Sequence, residues 1–353
     1  MNRRWICNDV WMDTFPFFDR PQLGLKLALL SPRFDALVDK HFDGKSELPL
    51  LRPIHIRKDE NAENPKLIVH RNPVKFPLPD RPLPNKIRFN YLLICYIDHS
   101  VLAFLRSNQQ IFARGTNLHL HLHLYSTKIG TNTIWDILIR EIWPIFVTNI
   151  RHLFFNSRTH LDILRRLISP TILTDLNLVS IQSNGLFPDV TGNDFDGPNA
   201  TAGQALSKWL HTPSRDGQPK QLFYNNLPTY RTSKMTKWVH TIKKAFIRAT
   251  VAAKYHIQII LFGSSSMAQF ELVNERTNEK LTLKKDKGDY DFCFNWRLNR
   301  CPIGETAAEI KWKDKKLNTL INNVYFYVFR DDIYIGPLSP PAPKADQSSE
   351  KGD

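Results

Sequence analysis

Between residues 87 and 262 the chain alternates strand-like and helix-like segments, and this alternation constrains its fold more than any other feature. Strand-like runs fall at 89–97, 118–124, 150–155, 175–181, 221–227 and 257–262. Helical stretches at 100–110, 133–147, 160–167, 203–211 and 233–254 lie between them. Successive strand starts are 29, 32, 25, 46 and 36 residues apart. One strand and one helix per unit imply parallel strands joined by crossover helices. Two architectures share that pattern: a leucine-rich-repeat-like curved solenoid and a doubly wound sheet. The solenoid is favoured, because no ligand fingerprint follows any strand.

The flanks differ. In the first 45 residues, Asp9 is placed to cap a helix carrying Val10, Trp11, Met12, Phe15 and Phe18, which Pro16 limits. Leu23, Leu27 and Leu30 recur at helical spacing after Pro21. Ser31 caps a third helix with Pro32 at its first position and Phe34, Leu37, Val38 and Phe42 on its apolar stripe. Residues 49–84 hold eight of the 23 prolines, which marks a junction. Within it, 54–56 and 66–69 can pair as a hairpin, and 76–84 reads as extended. Beyond Phe262, runs at 270–273 and 281–283 flank a turn, and 290–296 and 324–329 read as further strands closing an antiparallel meander. The tail from Pro337 reads as disordered. The expected fold class is therefore α+β overall: a three-helix module at 1–45, a Pro-rich junction at 46–86, an α/β strand–helix domain ending in the meander at 87–336, and a tail at 337–353.

Composition narrows the class of function. Of 353 residues, 42% are apolar and 23% charged, which excludes collagen-like, coiled-coil and wholly disordered chains. No window approaches 18 uncharged apolar residues, so no membrane span is expected. The N-terminus lacks an apolar h-region, because Asn8, Asp9 and Asp13 interrupt it. Four widely spaced cysteines form no CxxC pair and fit a reducing interior, so a cytoplasmic or nuclear protein is expected. Lys and Arg outnumber Asp and Glu by 48 to 34, giving +14. Most of the excess is local: residues 208–254 carry ten Lys or Arg against one acid, a net of +9. There, Met235, Trp238, Ile242, Phe246 and Ala249 form one helix face, while Lys237, His240, Lys244 and Arg248 line another. A basic amphipathic helix of this kind suits an acidic protein, nucleic acid or an anionic membrane. A solvated surface helix is the plainer reading.

Catalytic signatures are missing. There is no Walker-type loop, no G-x-G-x-x-G, no H-E-x-x-H and no G-x-S-x-G. The nearest approach is Gly263-Ser264 followed by Asp289-Tyr290-Asp291, since two carboxylates on a strand can share a divalent cation. The 24 residues between Ser264 and Asp289 are more than nucleotidyltransferases usually have there. The run 118–124 alternates Leu and His, so its leucines face the core and His119, His121 and His123 share the other face. Three alternate histidines span about 13 Å of strand, too far for one tetrahedral ion. That leaves a pair plus a third ligand from elsewhere as the open metal reading, and a solvent-facing row as the plainer one. Neither a metal nor a cofactor is expected. In a solenoid, this row lies on the surface that reads partners.

The N-terminal module resembles an F-box. Residues 6–18 follow that family's opening of Leu-Pro, an acidic residue and then apolar helix positions. Residues 19–34 are similar to its middle, ending in Ser31-Pro32-Arg33-Phe34 before Leu37-Val38. The chain departs at Cys7, where the family usually has proline, and at Thr14, which replaces Ile. The remainder resembles divergent F-box families expanded in nematodes, on the stretches 203–210, 270–283 and 300–307. This resemblance implies a non-catalytic substrate-recognition subunit of a Skp–cullin–F-box ubiquitin ligase. Ile6, Cys7, Val10, Trp11, Phe15, Phe18, Leu23 and Leu27 would then bind a Skp-type adaptor, and through it a cullin. The C-terminal domain would hold an unknown protein substrate, with His119, His121, His123, Lys237, Lys244 and Arg248 as its partner-binding candidates. The reading from another class is a nucleic-acid-binding protein using the basic segment 208–254.

Overall fold

The computed structural model describes residues 6–43, 50–51, 53–58, 64–69, 75–84, 87–113, 115–122, 132–155, 158–176, 178–189, 200–214, 217–225, 232–262, 267–286, 293–305, 322–328 and 333–335. Strands form where β-branched and aromatic residues repeat with period two. In chain order they are β1 (Leu50–Leu51), β2 (Ile54–Arg57), β3 (Lys66–Val69), β4 (Lys75–Pro77) and β5 (Arg88–Phe89). Then follow β6 (Leu92–Ile94), β7 (Thr116–Leu122), β8 (Ile150–Phe155), β9 (Ser180–Asn184) and β10 (Lys220–Asn225). Last come β11 (Tyr255–Phe262), β12 (Phe270–Asn274), β13 (Glu279–Asp286), β14 (Cys293–Pro302) and β15 (Asn322–Val328). Thirteen of them make one mixed sheet, ordered β12-β13-β14-β11-β10-β9-β8-β7-β15-β6-β2-β3-β4.

Eight adjacent strands, from β2 across to β11, run parallel. From β7 to β11 the sheet follows chain order without the reversal that defines a doubly wound sheet. Right-handed crossovers advancing in one direction put their helices on one face. Leu118, Leu120, Leu153, Phe155, Ile181, Leu222, Ile257 and Ile259 form the buried phase of these strands, in one core with Leu161, Leu164, Trp209 and Phe246 from the helices. Each such side chain contributes roughly 1.5–3 kcal/mol by leaving water. The core therefore pins the strand phase, and with it which residues point the other way.

Two element boundaries differ from the sequence reading for local reasons. The strand expected at 175–181 begins later, as β9, because a short helix, Ile172–Asp175, precedes it. The Asp175 carboxylate accepts hydrogen bonds from the Ser169 and Thr171 hydroxyls at 3.0 and 2.8 Å, closing that turn. The last long helix runs Thr232–Arg248 rather than to 254. The Asn274 amide donates to the Phe246 and Ala249 carbonyls at 2.7 and 3.0 Å, satisfying groups a longer helix would have used.

The C-terminal meander is three strands, not four. β12, β13 and β14 pair antiparallel, and β14 pairs antiparallel with β11. β15 leaves them and inserts parallel between β6 and β7. That slot offers it two hydrogen-bonded ladders, where the meander edge offers one. Its apolar phase, Val324 and Phe326, is fully buried there.

At the N-terminus, helices run Asn8–Thr14 and Pro32–Asp43, with a continuous helical path from 20 to 30 between them. The first starts one residue before Asp9, the expected cap, and Cys7 precedes it without a side-chain cap bond. Asp19 and Gln22 form a capping box, with bonds of 2.8 and 3.1 Å. Ser31 Oγ accepts from the Phe34 amide at 3.4 Å, as the sequence suggested. Phe15, Leu23, Val38 and Phe42 build a core that merges with that of the sheet. Gly24 makes the junction close: a Cβ there would collide with the Ile87 side chain. The Pro-rich stretch contributes the expected β2–β3 hairpin, and β2, β3 and β4 extend the main sheet.

Candidate functional site

The face opposite the crossover helices carries a different chemistry. Strand register lines up Tyr325, His119, Phe154, Gln182 and Phe223 as lateral neighbours across β15, β7, β8, β9 and β10. One step along the strands, a polar row follows: Asn323, Asn117, His152, Ser180 and Gln221. Both rows, Gln221 excepted, border a groove of about 570 Å³, which Pro53, Asn90 and Tyr91 also line.

Within the groove the rings stack. Tyr325 lies between Tyr91 at 4.1 Å and His119 at 4.0 Å, with interplanar angles of 26° and 17°. Phe154 continues the line, 5.7 Å from His119. Rings that pack face to face leave their edges and polar tips for solvent or a ligand. Burial, reinforced by Tyr91, pushes the Tyr325 phenol up to about 12. Burial also raises Tyr91, as does Cys95, while Arg57 opposes them. Both hydroxyls therefore remain donors at neutral pH.

The polar row is tied together underneath. Asn117 Nδ2 donates to Asn323 Oδ1 at 2.7 Å, and Asn323 Nδ2 donates to the Asn90 carbonyl at 2.8 Å. His152 Nδ1 is hydrogen-bonded to Ser180 Oγ, and His256 Nδ1 to Asn299 Oδ1. Burial drives His152 down to about 4, with Arg151 adding to the effect, and also lowers His256. Asn117 is 5% exposed, and its Oδ1 has no hydrogen-bond partner. Among the described residues bordering the groove, none is Asp, Glu, Lys or Arg.

No protein-family model and no curated protein matches the chain. The site is therefore read from its own residues.

The candidates from sequence divide clearly. His119 lies in the groove. His121 sits on β7 opposite Tyr327, while His123 lies outside the described residues, as do Ser264, Asp289 and Asp291. No group of three or more metal-ligating side chains occurs among the described residues. Lys237, Lys244 and Arg248 are exposed on the Thr232–Arg248 helix, whose Met235, Trp238, Ile242 and Phe246 are buried. That helix belongs to the covered face, so the basic stripe and the groove do not share a surface. No described helix is long and apolar enough to cross a membrane.

On the N-terminal module, Ile6, Cys7 and Val10 are exposed, and Trp11, Phe18 and Leu27 are half-buried. Phe15 and Leu23, at 0% and 2% exposure, are core side chains that shape the module rather than meet a partner. Phe17, at 87% exposure, and Leu30, at 61%, add apolar surface that the sequence reading did not include. Tyr91, Asn117, His152 and Tyr325 were also missed. For Asn117 and Tyr325 the signal was the alternate phase of their strands; Tyr91 lies between β5 and β6, and His152 sits where no alternation marks its face.

Proposed function

We propose that this protein is a non-catalytic recognition subunit of a Skp–cullin–F-box ubiquitin ligase. The observation that carries the reading is the apolar surface of the N-terminal module. Ile6, Val10 and Phe17 are 48%, 54% and 87% exposed although Phe15, Leu23, Val38 and Phe42 already complete a core beneath them. Exposed large apolar side chains grouped on one small module mark an interaction surface. The F-box resemblance names a Skp-type adaptor as the partner that covers it.

The second half of the reading is the large domain. Consecutive parallel strands with helices on one side support a solenoid-like, leucine-rich-repeat-like arrangement, which leaves the opposite sheet face open to a target protein. The merged core fixes adaptor surface and target surface in one body, as an adaptor needs in order to present its cargo at a constant distance.

The test is capture on purified Skp-type adaptor. Val10→Asp places a charge in the exposed patch without entering the core, and Phe18→Ala trims its half-buried neighbour. Wild-type chain is expected to bind, and each variant to lose at least about tenfold in affinity, or about 1.4 kcal/mol. Undiminished binding by both variants would overturn the proposal.

A further inference from the structure

A second concavity lies where the helical path from 20 to 30, strands β3 and β4, and the His99–Ser107 helix meet. It encloses about 1400 Å³ and shares no lining residue with the groove at Tyr325. We infer that this cleft takes an acidic amphipathic helix of a partner protein. Its own residues carry that assignment, independently of the ligase reading.

The cleft joins an apolar floor to a basic rim. Leu25, Phe76 and Phe104 are buried in the core, Leu29 and Leu78 are half-buried, and Leu30 is 61% exposed. Clefts for small molecules run to about 1,000 Å³, so this one has room for a segment of polymer. Lys26, Lys66, Lys75 and Arg81 also line it, against a single acid, Asp80. Lys26, Lys75 and Arg81 are exposed. Among the described residues, no ion pair takes up Lys26, Lys66 or Arg81. A cleft lined mainly by one sign of charge concentrates ligands of the other sign. Apolar floor and basic rim together fit a ligand with an apolar stripe flanked by carboxylates.

The walls select a helix over an extended peptide. Pro65, Pro77 and Pro79 have no N–H to offer. Among the described strands, β4 is the last at this end of the sheet; it is three residues long and carries Lys75 and Pro77. Short length, lysine and proline are features that resist the addition of a further strand. An extended peptide would therefore leave backbone groups unpaired, whereas a helix satisfies its own. Laying an amphipathic helix into an apolar groove is a common mode of peptide recognition.

The basic stripe on the Thr232–Arg248 helix is the competing place for an acidic ligand, so the experiment separates the two. The full chain is titrated, by fluorescence anisotropy, with a fluorescein-labelled peptide of Glu and Leu about 15 residues long, enough for a helix. Its leucines recur at i, i+3, i+4 and i+7. One comparison peptide has Gln for every Glu; the other keeps the composition but spaces the leucines so that no helical stripe forms. The patterned acidic peptide is expected to bind at least about tenfold more tightly than either. Lys26→Glu combined with Arg81→Glu should remove that preference, and Leu30→Asp should weaken binding severalfold. Lys244→Glu should leave it unchanged. All these positions are exposed, and circular dichroism matching wild type checks that each variant is folded.

Equal binding of the patterned peptide and either comparison peptide would overturn the inference. So would loss with Lys244→Glu but not with the cleft variants. Binding of phosphatidylserine vesicles through Lys26 and Arg81, without binding of the peptide, would overturn it as well.

Discussion

His152 occupies a place where a charge is disfavoured. In the unfolded chain its imidazole titrates near 6.5; in the fold, burial and then Arg151 lower it to about 4. Between those values the unfolded chain binds a proton that the folded chain refuses. Stability contributed by the neutral ring is therefore complete above about pH 6.5 and is lost as pH falls towards 4. The loss amounts to about 3 kcal/mol at most. Urea midpoints at pH 7 and pH 4.5 should separate less in His152→Gln than in wild type; equal separations would show that this ring is not responsible. At this scale the sequence was partly legible. His119 stood out because Leu and His alternate through 118–124, which fixes its face. His152 did not, since Ile150-Arg151-His152 shows no alternation, and only the pairing of β8 with β7 and β9 puts it in the polar row.

Among the elements, β15 shows where local pattern stops being informative. Val324 and Phe326 alternate with Tyr325 and Tyr327, which announces a strand, and one was expected there. Its direction and neighbours depend on partners more than 200 residues away, so the same alternation would have served in the meander. What selects the slot is Asn322, fully buried at its start. Its Oδ1 accepts from the Phe89 amide at 2.9 Å, and its Nδ2 donates to the Ile111 and Gly115 carbonyls at 2.9 and 3.3 Å. Asn322→Ala strands a buried backbone N–H and removes bonds from two carbonyls, a cost of roughly 2–4 kcal/mol. Denaturant unfolding should show a midpoint lowered accordingly at unchanged slope. A loss under about 0.5 kcal/mol would mean that β15 is held by its ladders alone. The meander itself was readable, because a turn between two short apolar runs is local information.

For the whole molecule, the unit that repeats is a strand followed by helix, and its period of 25 to 46 residues was visible without any structure. The irregular spacing hid only the order of strands, which loop lengths do not encode. Charge was legible in amount but not in position: the basic stripe at Lys237, Lys244 and Arg248 lies on the helical side, away from the open face. The apolar surface around Val10 was legible through the F-box resemblance, although burial alone distinguishes Phe15, a core residue, from Phe17, an exposed one. Together these features support the proposed bridge, in which the N-terminal module meets an adaptor and the sheet face meets a target, with one core joining them. Size-exclusion chromatography of the full chain mixed with purified Skp-type adaptor tests the adaptor half of that bridge most directly. Chain and adaptor are predicted to elute together in one peak, with Val10→Asp releasing the adaptor. Elution of the adaptor apart from the wild-type chain would contradict it.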